Sequence, residues 1–172
     1  GKYWNHDDID FINADIGWVC DLSGKISKTY DGGESWTTIF SQSGTSFRSM
    51  AWLDSLHGFV GTLGPGSWVN QTQDTTIMYE TFDGGYSWDP VKTIPNTISV
   101  KGICGLHVVN DTTIIGVGRY DGPAIMVKST DRGATWTIRP TKNMAESLVD
   151  CHFFDPDTGV VVGREDWNSI IL

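Results

Sequence analysis

The chain has little positive charge and no long hydrophobic run, and each lack excludes a class of protein. Its 172 residues contain 12 Lys and Arg against 21 Asp and Glu, which gives a formal net charge of −9. A field of this sign repels nucleic acid and anionic lipid. The longest apolar runs, such as residues 114–118 and 159–163, fall far short of the roughly 20 residues that cross a bilayer. We therefore expect no nucleic-acid partner and no insertion into a membrane.

Cysteine is also scarce, and its spacing excludes two kinds of small domain. Cys20, Cys104 and Cys151 lie far apart and form no CxxC pair, so neither a zinc ribbon nor a dense disulfide framework is indicated. Buried free thiols are the first interpretation and one disulfide is the second. The acidic cluster at 6–10 and the Asp-rich stretch at 155–159 lack the ligands or the spacing of known metal sites. We expect no metal and no cofactor.

Glycine and tryptophan are abundant instead, with 20 Gly and 8 Trp, and an internal repeat accounts for part of that abundance. The octapeptide at 29–36 recurs at 81–88 and again at 129–136, with the pattern S/T-x-D-x-G-x-S/T-W. The copies lie about 50 residues apart, which is the period of one four-stranded propeller blade.

The repeated octapeptide has the chemistry of a tight β-hairpin turn. An Asp carboxylate accepts hydrogen bonds from backbone amides of its own turn, and a Gly supplies a residue with positive φ. The closing Trp offers a large surface for packing, and β-branched or aromatic residues flank each copy. We therefore interpret nine residues as structural parts of three turns: Asp31, Gly33, Trp36, Asp83, Gly85, Trp88, Asp131, Gly133 and Trp136.

Two short apolar segments precede each octapeptide, so every repeat supplies four antiparallel strands, which we call A to D in chain order. A fourth copy of the second segment, at 157–163, is followed by too few residues for another octapeptide, and the last repeat is expected to be truncated. No helical period persists over a helix-length window, so we expect almost no helix.

The sequence therefore predicts one all-β domain, a β-propeller present as an incomplete arc. Three blades and most of a fourth are expected, with repeats at about 9–46, 47–99, 100–146 and 147–172. Known closed propellers need at least four blades, so missing residues or another chain would complete the ring.

The three octapeptides resemble the Asp-box, or bacterial neuraminidase repeat, of a large group of β-propellers. With its added G-[F/W]-V segments and the stretch at 153–159, the chain is most similar to the photosystem II assembly and stability factor type. More distantly it resembles sialidases, xyloglucan-cleaving hydrolases and sortilin-type receptors. The resemblance implies an extracellular or periplasmic location and a purely structural role for the Asp turns.

Because successive strands of a blade run in opposite directions, the connections between them emerge on two opposite faces. The A–B and C–D turns emerge on one face, the turn face, while the B–C loops and the D–A crossovers emerge on the other, the loop face. The predicted crossovers at 41–46, 89–99 and 137–147 add Lys92, Arg139 and Lys142 to the loop face.

The B–C loops supply the candidate ligand-binding residues, because two of them repeat an arginine beside acidic and aromatic residues. Such groups suit a polar, planar or sugar ligand. The candidates are Trp68, Arg119, Tyr120, Asp121, Arg164, Glu165, Asp166 and Trp167. The alternative is structural: Arg119 and Arg164 would pair with Asp121 and Asp166, and the Trp side chains would cover core edges.

These observations favour a non-catalytic scaffold that recognises a protein or a glycan through the loop face. The rival class is a secreted glycoside hydrolase of the sialidase or xyloglucan-cleaving type, for which Asp121, Glu165 and Asp166 are the nearest candidate carboxylates. The arginine triad and Tyr-Glu pair that a resemblance to sialidases would imply are missing from the chain, so we expect no enzyme activity. A fold alone does not confer chemistry.

Overall fold

The chain folds into four antiparallel β-sheets that follow one another along the sequence. The computed structural model describes residues 6–64, 74–95, 102–118, 122–141, 145–166 and 168–172. Within these residues every regular element is a strand and no helix occurs, which confirms the predicted all-β fold. The same residues contain no helix with the length and apolar character needed to cross a membrane.

The strands are short, as expected for blades with a turn every few residues. Their bounds are β1 (His6–Phe11), β2 (Gly17–Asp21), β3 (Lys25–Thr29), β4 (Thr37–Ser41), β5 (Phe47–Trp52), β6 (Gly58–Thr62), β7 (Met78–Thr81), β8 (Asp89–Pro90), β9 (Gly105–Val108), β10 (Ile114–Gly118), β11 (Ile125–Ser129), β12 (Thr137–Pro140), β13 (Ser147–Phe153), β14 (Gly159–Glu165) and β15 (Asn168–Ile171).

Each sheet is a meander in which every strand pairs with its neighbour in sequence. Blade 1 contains β1 to β4, blade 2 contains β5 to β8, blade 3 contains β9 to β12, and blade 4 contains β13 to β15. Within the described residues blade 4 has three strands, so the predicted arc of three blades and most of a fourth is confirmed. The first strands β1, β5, β9 and β13 contact one another in succession and surround the axis of the arc.

The core lies between the blades. Trp18 of β2 is fully buried and stacks on Trp52 of blade 2, with the ring centroids 3.7 Å apart. Because successive side chains of a strand point to opposite faces, Phe59 of β6 packs against blade 3 while its neighbour Val60 packs against blade 1. The second strands β2, β6 and β10 are buried over their whole length, and β6 and β10 are covered by a neighbouring blade on both sides.

The three cysteines belong to this core. Cys20, Cys104 and Cys151 are all buried and none forms a disulfide, which agrees with the first interpretation of the sequence. Burial raises the pKa of the Cys151 thiol to about 12, with Asp150 and Asp8 adding to the effect. A thiol that stays protonated behaves as a small apolar side chain rather than a nucleophile.

The predicted crossovers begin too early. Ser41 is the last residue of β4, and Asp89–Pro90 forms β8. The segment 137–147 is not a crossover throughout, because Thr137–Pro140 forms β12, in which Arg139 pairs with Met126 of β11. The crossover begins after β12, so Arg139 lies on the outer strand of blade 3 rather than in the loop face. The alternating Thr-Ile-Arg run supplies the fourth strand that the blade needs.

Candidate functional site

The turn face is built from three copies of one hydrogen-bonded turn. In blade 1, Asp31 accepts hydrogen bonds from the Thr29 hydroxyl (2.7 Å) and from the amide and hydroxyl of Ser35 (2.9 and 2.5 Å). Asp83 and Asp131 repeat the pattern with the residues two before and four after them. The hydrogen bonds from Ser35 and Thr29 lower the pKa of Asp31 to about 2. Both carboxylate oxygens are thus occupied within the turn, which leaves little capacity for chemistry.

The turns also carry the glycine and tryptophan of the octapeptide. Gly85 has a φ of +97°, and its carbonyl accepts a hydrogen bond from the indole nitrogen of Trp88 at 3.0 Å. Gly33 and Trp36 make the equivalent bond at 3.1 Å. Trp36 and Trp88 are therefore fastened to their own turns, whereas the indole nitrogen of Trp136 is buried without a hydrogen-bond partner among the described residues.

The loop face lies at the other end of the strands, where B–C loops meet D–A crossovers. The Ser46 hydroxyl in the first crossover donates to the carbonyl of Leu22 in the first loop at 3.0 Å. The backbone of Ala124, beside the third loop, bonds that of Glu146 in the third crossover at 3.1 Å. The first and third crossovers are thus fastened to the loops of their own blades, so these loops and crossovers form one surface.

Three of the candidate residues lie where β14 meets the turn that follows it: Arg164 and Glu165 are the last residues of β14 rather than loop residues, and Asp166 lies in the turn. Arg164 ends next to the third crossover: its Nε lies 3.5 Å from Oε2 of Glu146, and its carbonyl accepts the Glu146 amide at 2.9 Å. Glu165 and Asp166 are exposed at the tip of the hairpin between β14 and β15. Asp166 adopts a φ of +44°, which suits a short acidic residue in a tight turn.

The structural alternative for Arg164 needs a correction. Its ion-pair partner among the described residues is Glu146, not Asp166. The turn reverses the chain at Asp166, so the carboxylate two residues on does not form the ion pair, whereas the crossover brings Glu146 alongside. The remaining candidates Trp68, Arg119, Tyr120, Asp121 and Trp167 lie outside the described residues and stay predictions. Lys142 lies outside them as well.

A polar network between blades 1 and 2 was not anticipated from the sequence. Asp74 Oδ2 accepts hydrogen bonds from the hydroxyls of Thr45 (2.5 Å) and Tyr79 (2.7 Å) and from the amide of Gln42 (3.3 Å). Burial raises the pKa of Asp74, but the hydrogen bonds from Thr45 and Tyr79 outweigh it and lower the pKa below its usual value. The network joins the second loop to the first crossover and stiffens this part of the loop face. An isolated Asp in a polar loop gives no sequence signal for it.

A second unanticipated feature is an acidic cavity of about 350 Å³ on the axis, lined by all four inner strands. The Asp8 and Asp10 carboxylates of β1 accept hydrogen bonds from the backbone amides of Met50 and Trp52 at 2.7 and 2.8 Å. These hydrogen bonds join blade 1 to blade 2. Burial raises the pKa of Asp8 to about 6, against the hydrogen bonds from Met50 and Ile9. The sequence shows these residues only as an acidic cluster, since their place on an inner strand emerges from the topology.

The cavity does not have the ligand set of a metal centre. Within the described ranges no group of three His, Cys, Asp or Glu side chains is placed to hold a metal ion. His107, which also lines the cavity, donates a hydrogen bond from Nε2 to the carbonyl of Phe153 (3.1 Å). Burial, together with the neighbouring His152, lowers the pKa of His107. The polar groups of the cavity therefore serve contacts between blades.

Comparison with solved structures identifies the fold. YCF48 bound to a D1 peptide matches with a TM-score of 0.68 and 17% identity, over 98% of this chain and 51% of that chain. An ancestral GH74 enzyme matches with a TM-score of 0.67 and 17% identity, over 94% and 23%. The GH74 enzyme of Niastella koreensis gives 0.62 and 15%, over 88% and 24%. No protein-family model and no curated protein matches the sequence.

The molecule thus has a β-propeller fold of the type seen in YCF48 and the GH74 enzymes. It spans about half the length of YCF48 and about a quarter of the GH74 enzymes. At these identities the likeness establishes the fold, and function has to be argued from the surface.

Proposed function

We propose that this β-propeller is a non-catalytic recognition scaffold that binds a segment of a protein partner on its loop face. The observation that carries the proposal is the contrast between the two faces. On the turn face, the carboxylates of Asp31, Asp83 and Asp131 accept hydrogen bonds at both oxygens within their own turns. On the loop face, Glu165 and Asp166 are exposed beside Arg164, which the crossover orients through Glu146. Oriented charged groups of both signs suit a polar peptide backbone and its side chains.

The likeness to YCF48 supports a protein partner rather than a glycan. That propeller is bound to a D1 peptide, so the fold accommodates a peptide ligand. The four B–C loops of the present arc, among them the predicted positions Arg119 and Tyr120, would supply the contacts. Glycan recognition uses similar groups, so the experiment below has to distinguish binding of a peptide from binding of a glycan. An extracellular or periplasmic location remains part of the proposal.

Glycoside hydrolysis is the second candidate, because two of the structural neighbours are GH74 enzymes. Such a reaction needs two carboxyl groups on either side of a bound sugar, roughly 5 to 10 Å apart. Glu165 and Asp166 are adjacent residues at the tip of one hairpin, both exposed to solvent. Asp121 would have to provide the opposing group from the neighbouring loop.

Selection from a displayed random-peptide library tests the proposal, because it requires no particular partner to be chosen. Peptides selected on the wild-type protein are expected to bind Arg164→Ala at least about tenfold more weakly, since an oriented arginine in an interface is often a binding hot spot. Binding is measured by titration calorimetry with the selected peptide. Arg119→Ala, measured in parallel, tests the predicted neighbour of Arg164.

Arg132→Ala is the matched control on the turn face. Arg132 also forms one surface ion pair, with Nη2 2.7 Å from Oδ2 of Asp54, so its loss removes the same kind of group. Peptide affinity should be unchanged in this variant. Selection of no peptide, or equal losses in both variants, would reject loop-face recognition. Binding to a glycan array alone would reject a protein partner, and hydrolysis of xyloglucan by the wild type would reject a non-catalytic role.

A further inference from the structure

Between neighbouring blades of the described structure, the turn face contains three clefts, each where the third strand of one blade ends beside a turn of the next. The residue before the last in each third strand lies in its cleft. This position holds Lys28 in β3, Glu80 in β7 and Lys128 in β11. Lys28 donates to the carbonyl of Gly84 at 3.5 Å, and Lys128 donates to that of Pro156 at 2.5 Å. The first and third clefts therefore hold an ammonium group of the chain itself, whereas the middle cleft has a carboxylate at the same position.

The first cleft shows how the turn face holds a cation. Lys28 is 6% exposed, and its Nζ lies 4.5 Å from the ring centroid of Trp18 and 4.9 Å from that of Tyr30. Tyr86 closes the cleft from the next blade, with its ring centroid 5.8 Å from Nζ and its hydroxyl 3.1 Å from that of Tyr30. A cation is attracted by the negative face of an aromatic ring. Ring faces and the carbonyl of Gly84 thus hold this ammonium, without a carboxylate within ion-pair distance among the described residues.

The middle cleft has the same frame, but it is open. Phe59 pairs with Glu80 at the register of the first cleft, and Phe82 holds the second position of its octapeptide, so both aromatic positions are kept. Ala134 takes the octapeptide position of Tyr86, and the covering ring is therefore missing. A cavity of about 380 Å³ lies there, and the Phe82 ring beside it is 64% exposed.

Glu80 lines this cavity with a carboxylate that is fixed at one oxygen and unpaired at the other. Its Oε1 lies 2.8 Å from Nε2 of His57, whose ring contacts that of Phe82 at a centroid distance of 4.5 Å. Among the described residues no group donates to the other oxygen, Oε2. The carbonyl of Arg132, which corresponds to that of Gly84 in the octapeptide, also receives no hydrogen bond from these residues. The described part of the middle cleft therefore has acceptors and a ring face, but no donor that satisfies them.

We propose that the middle cleft binds a primary ammonium group from outside the chain. The carboxylate of Glu80 and the carbonyl of Arg132 accept two of its three N–H donors, and the ring of Phe82 faces the charge. The chain supplies the precedent in Lys28, whose ammonium has the equivalent place in the first cleft. The net charge of −9 attracts a cation to the protein surface. A lysine side chain of a partner and a small free amine both carry this group.

Two cationic side chains line the same cavity without satisfying these acceptors. Arg132 is engaged elsewhere: its Nη2 lies 2.7 Å from Oδ2 of Asp54, and its Nη1 donates to the carbonyl of Asp111 at 2.8 Å. Lys92 is exposed and forms no ion pair among the described residues. Because its charge repels an ammonium ligand, Lys92 is a probe of the sign of the ligand charge.

Titration of the folded protein with Nα-acetyl-lysine amide tests the proposal, with binding followed by the backbone amide chemical shifts in NMR. The amides of Gly133 and Ala134 should shift and reach saturation. Nα-acetyl-norleucine amide has a side chain of similar shape without the ammonium, and it should cause no saturable shift.

A second ligand distinguishes the two sources of the ammonium. n-Butylammonium carries the group without a peptide backbone. Equal affinity for the two ligands would assign the cleft to small amines. Binding of the lysine derivative that is at least about tenfold tighter would assign it to a lysine side chain.

Four substitutions test the contacts. Glu80→Gln should weaken binding of the lysine derivative by at least about tenfold, because it removes the charged acceptor. Glu34→Gln, the matched control, removes the same charge from an exposed residue of the first turn and should change the affinity by less than about twofold. Ala134→Tyr restores the covering ring at an exposed position and should also weaken binding at least about tenfold. Lys92→Ala removes a repulsive charge and should tighten binding about twofold.

Circular dichroism checks that each variant is folded, and Ala134→Tyr tests the cleft with Glu80 intact if Glu80→Gln is not folded. Arg164→Ala, in the loop-face site, should leave binding of the lysine derivative unchanged. This inference and loop-face recognition can therefore fail separately.

Four outcomes would overturn the proposal. The first is the absence of a saturable shift with the lysine derivative. Equal binding of the norleucine derivative would show that the cleft selects apolar groups. Equal losses in Glu80→Gln and Glu34→Gln would show that only the net charge attracts the cation. Weaker binding after Lys92→Ala would show that the ligand is held by contacts other than its charge.

Discussion

The turn face and the loop face are formed by opposite ends of the same strands, yet they differ in regularity. The three turns share their length, the hydrogen bonds of their Asp carboxylates and a closing tryptophan. The B–C loops vary from residues 22–24 in blade 1 to the long segment between β6 and β7 in blade 2. Repetition marks the parts that hold each blade together, and variation marks the parts that are free to acquire a ligand.

The largest expected effect contrasts two glycines with positive φ. At Gly133 in the third turn, an added Cβ would lie 2.4 Å from the ring of the fully buried Phe59. At Gly44 in the first crossover, an added Cβ would meet nothing within 4 Å. Gly133→Ala should lower the free energy of unfolding by about 3 kcal/mol, from backbone strain and overpacking together. Gly44→Ala should lower it by about 1 kcal/mol, from backbone strain alone. Urea denaturation measures both free energies of unfolding. Equal losses in the two variants would contradict the claim that the turns hold the blades together.

The next prediction compares a turn carboxylate, Asp31, with a carboxylate of the cavity on the axis, Asp8, by how each makes the free energy of unfolding depend on pH. The pKa of Asp31 is about 2, below that of an unfolded Asp, so its stabilisation is lost as the pH falls from about 4 toward 2. The pKa of Asp8 is about 6, above the unfolded value, so stability falls as the pH rises from about 4 through 6. The Asp8 contribution is on the order of 3 kcal/mol.

Asp8→Asn tests whether Asp8 causes the fall in the free energy of unfolding as the pH rises from about 4 through 6. The amide oxygen can still accept the Met50 amide, while the titration is removed. The free energy of unfolding, measured from pH 2 to 7, should decline less between pH 4 and 7 in this variant than in the wild type, and should keep its decline below pH 4. An unchanged profile would show that Asp8 is not the group responsible.

A smaller effect is expected within the loop face itself. The Asp74 carboxylate accepts hydrogen bonds from Thr45, Tyr79 and Gln42 at Oδ2 and from the Thr76 amide at Oδ1. Asp74→Asn removes the charge and leaves only one acceptor oxygen for these donors. We expect a loss of about 1.5 kcal/mol in the free energy of unfolding, typical of hydrogen bonds to a charged group. Asp89→Asn, at an exposed residue of β8, is the control and should change stability by less than about 0.5 kcal/mol. Equal values would mean that the network does not stiffen the loop face.

The repeat made the architecture predictable from sequence. Three octapeptides with Asp31, Asp83 and Asp131 at a blade-length spacing set the strand order, and the sheets follow that order. The boundary at Arg139 was missed because the end of an outer strand and the start of a crossover share the same polar composition. A four-residue edge strand has few buried positions, so little in the sequence marks its limit.

The candidate site was less predictable, because its contacts join residues far apart in the chain. The pairing of Arg164 with Glu146 depends on where the third crossover runs, and the role of Asp8 depends on the convergence of inner strands at the axis. Neither position is set by local composition. Sequence located Arg164, Glu165 and Asp166 on one loop, whereas their neighbours came only from the fold.

Amide hydrogen exchange with and without a selected peptide tests the division between the two faces most directly. The account predicts slower exchange in the loop-face segments 22–24, 42–46 and 145–146 and around Arg164, with the turns at 31–36, 83–88 and 131–136 unchanged. Protection of the turns with no change in the loop-face segments would contradict it.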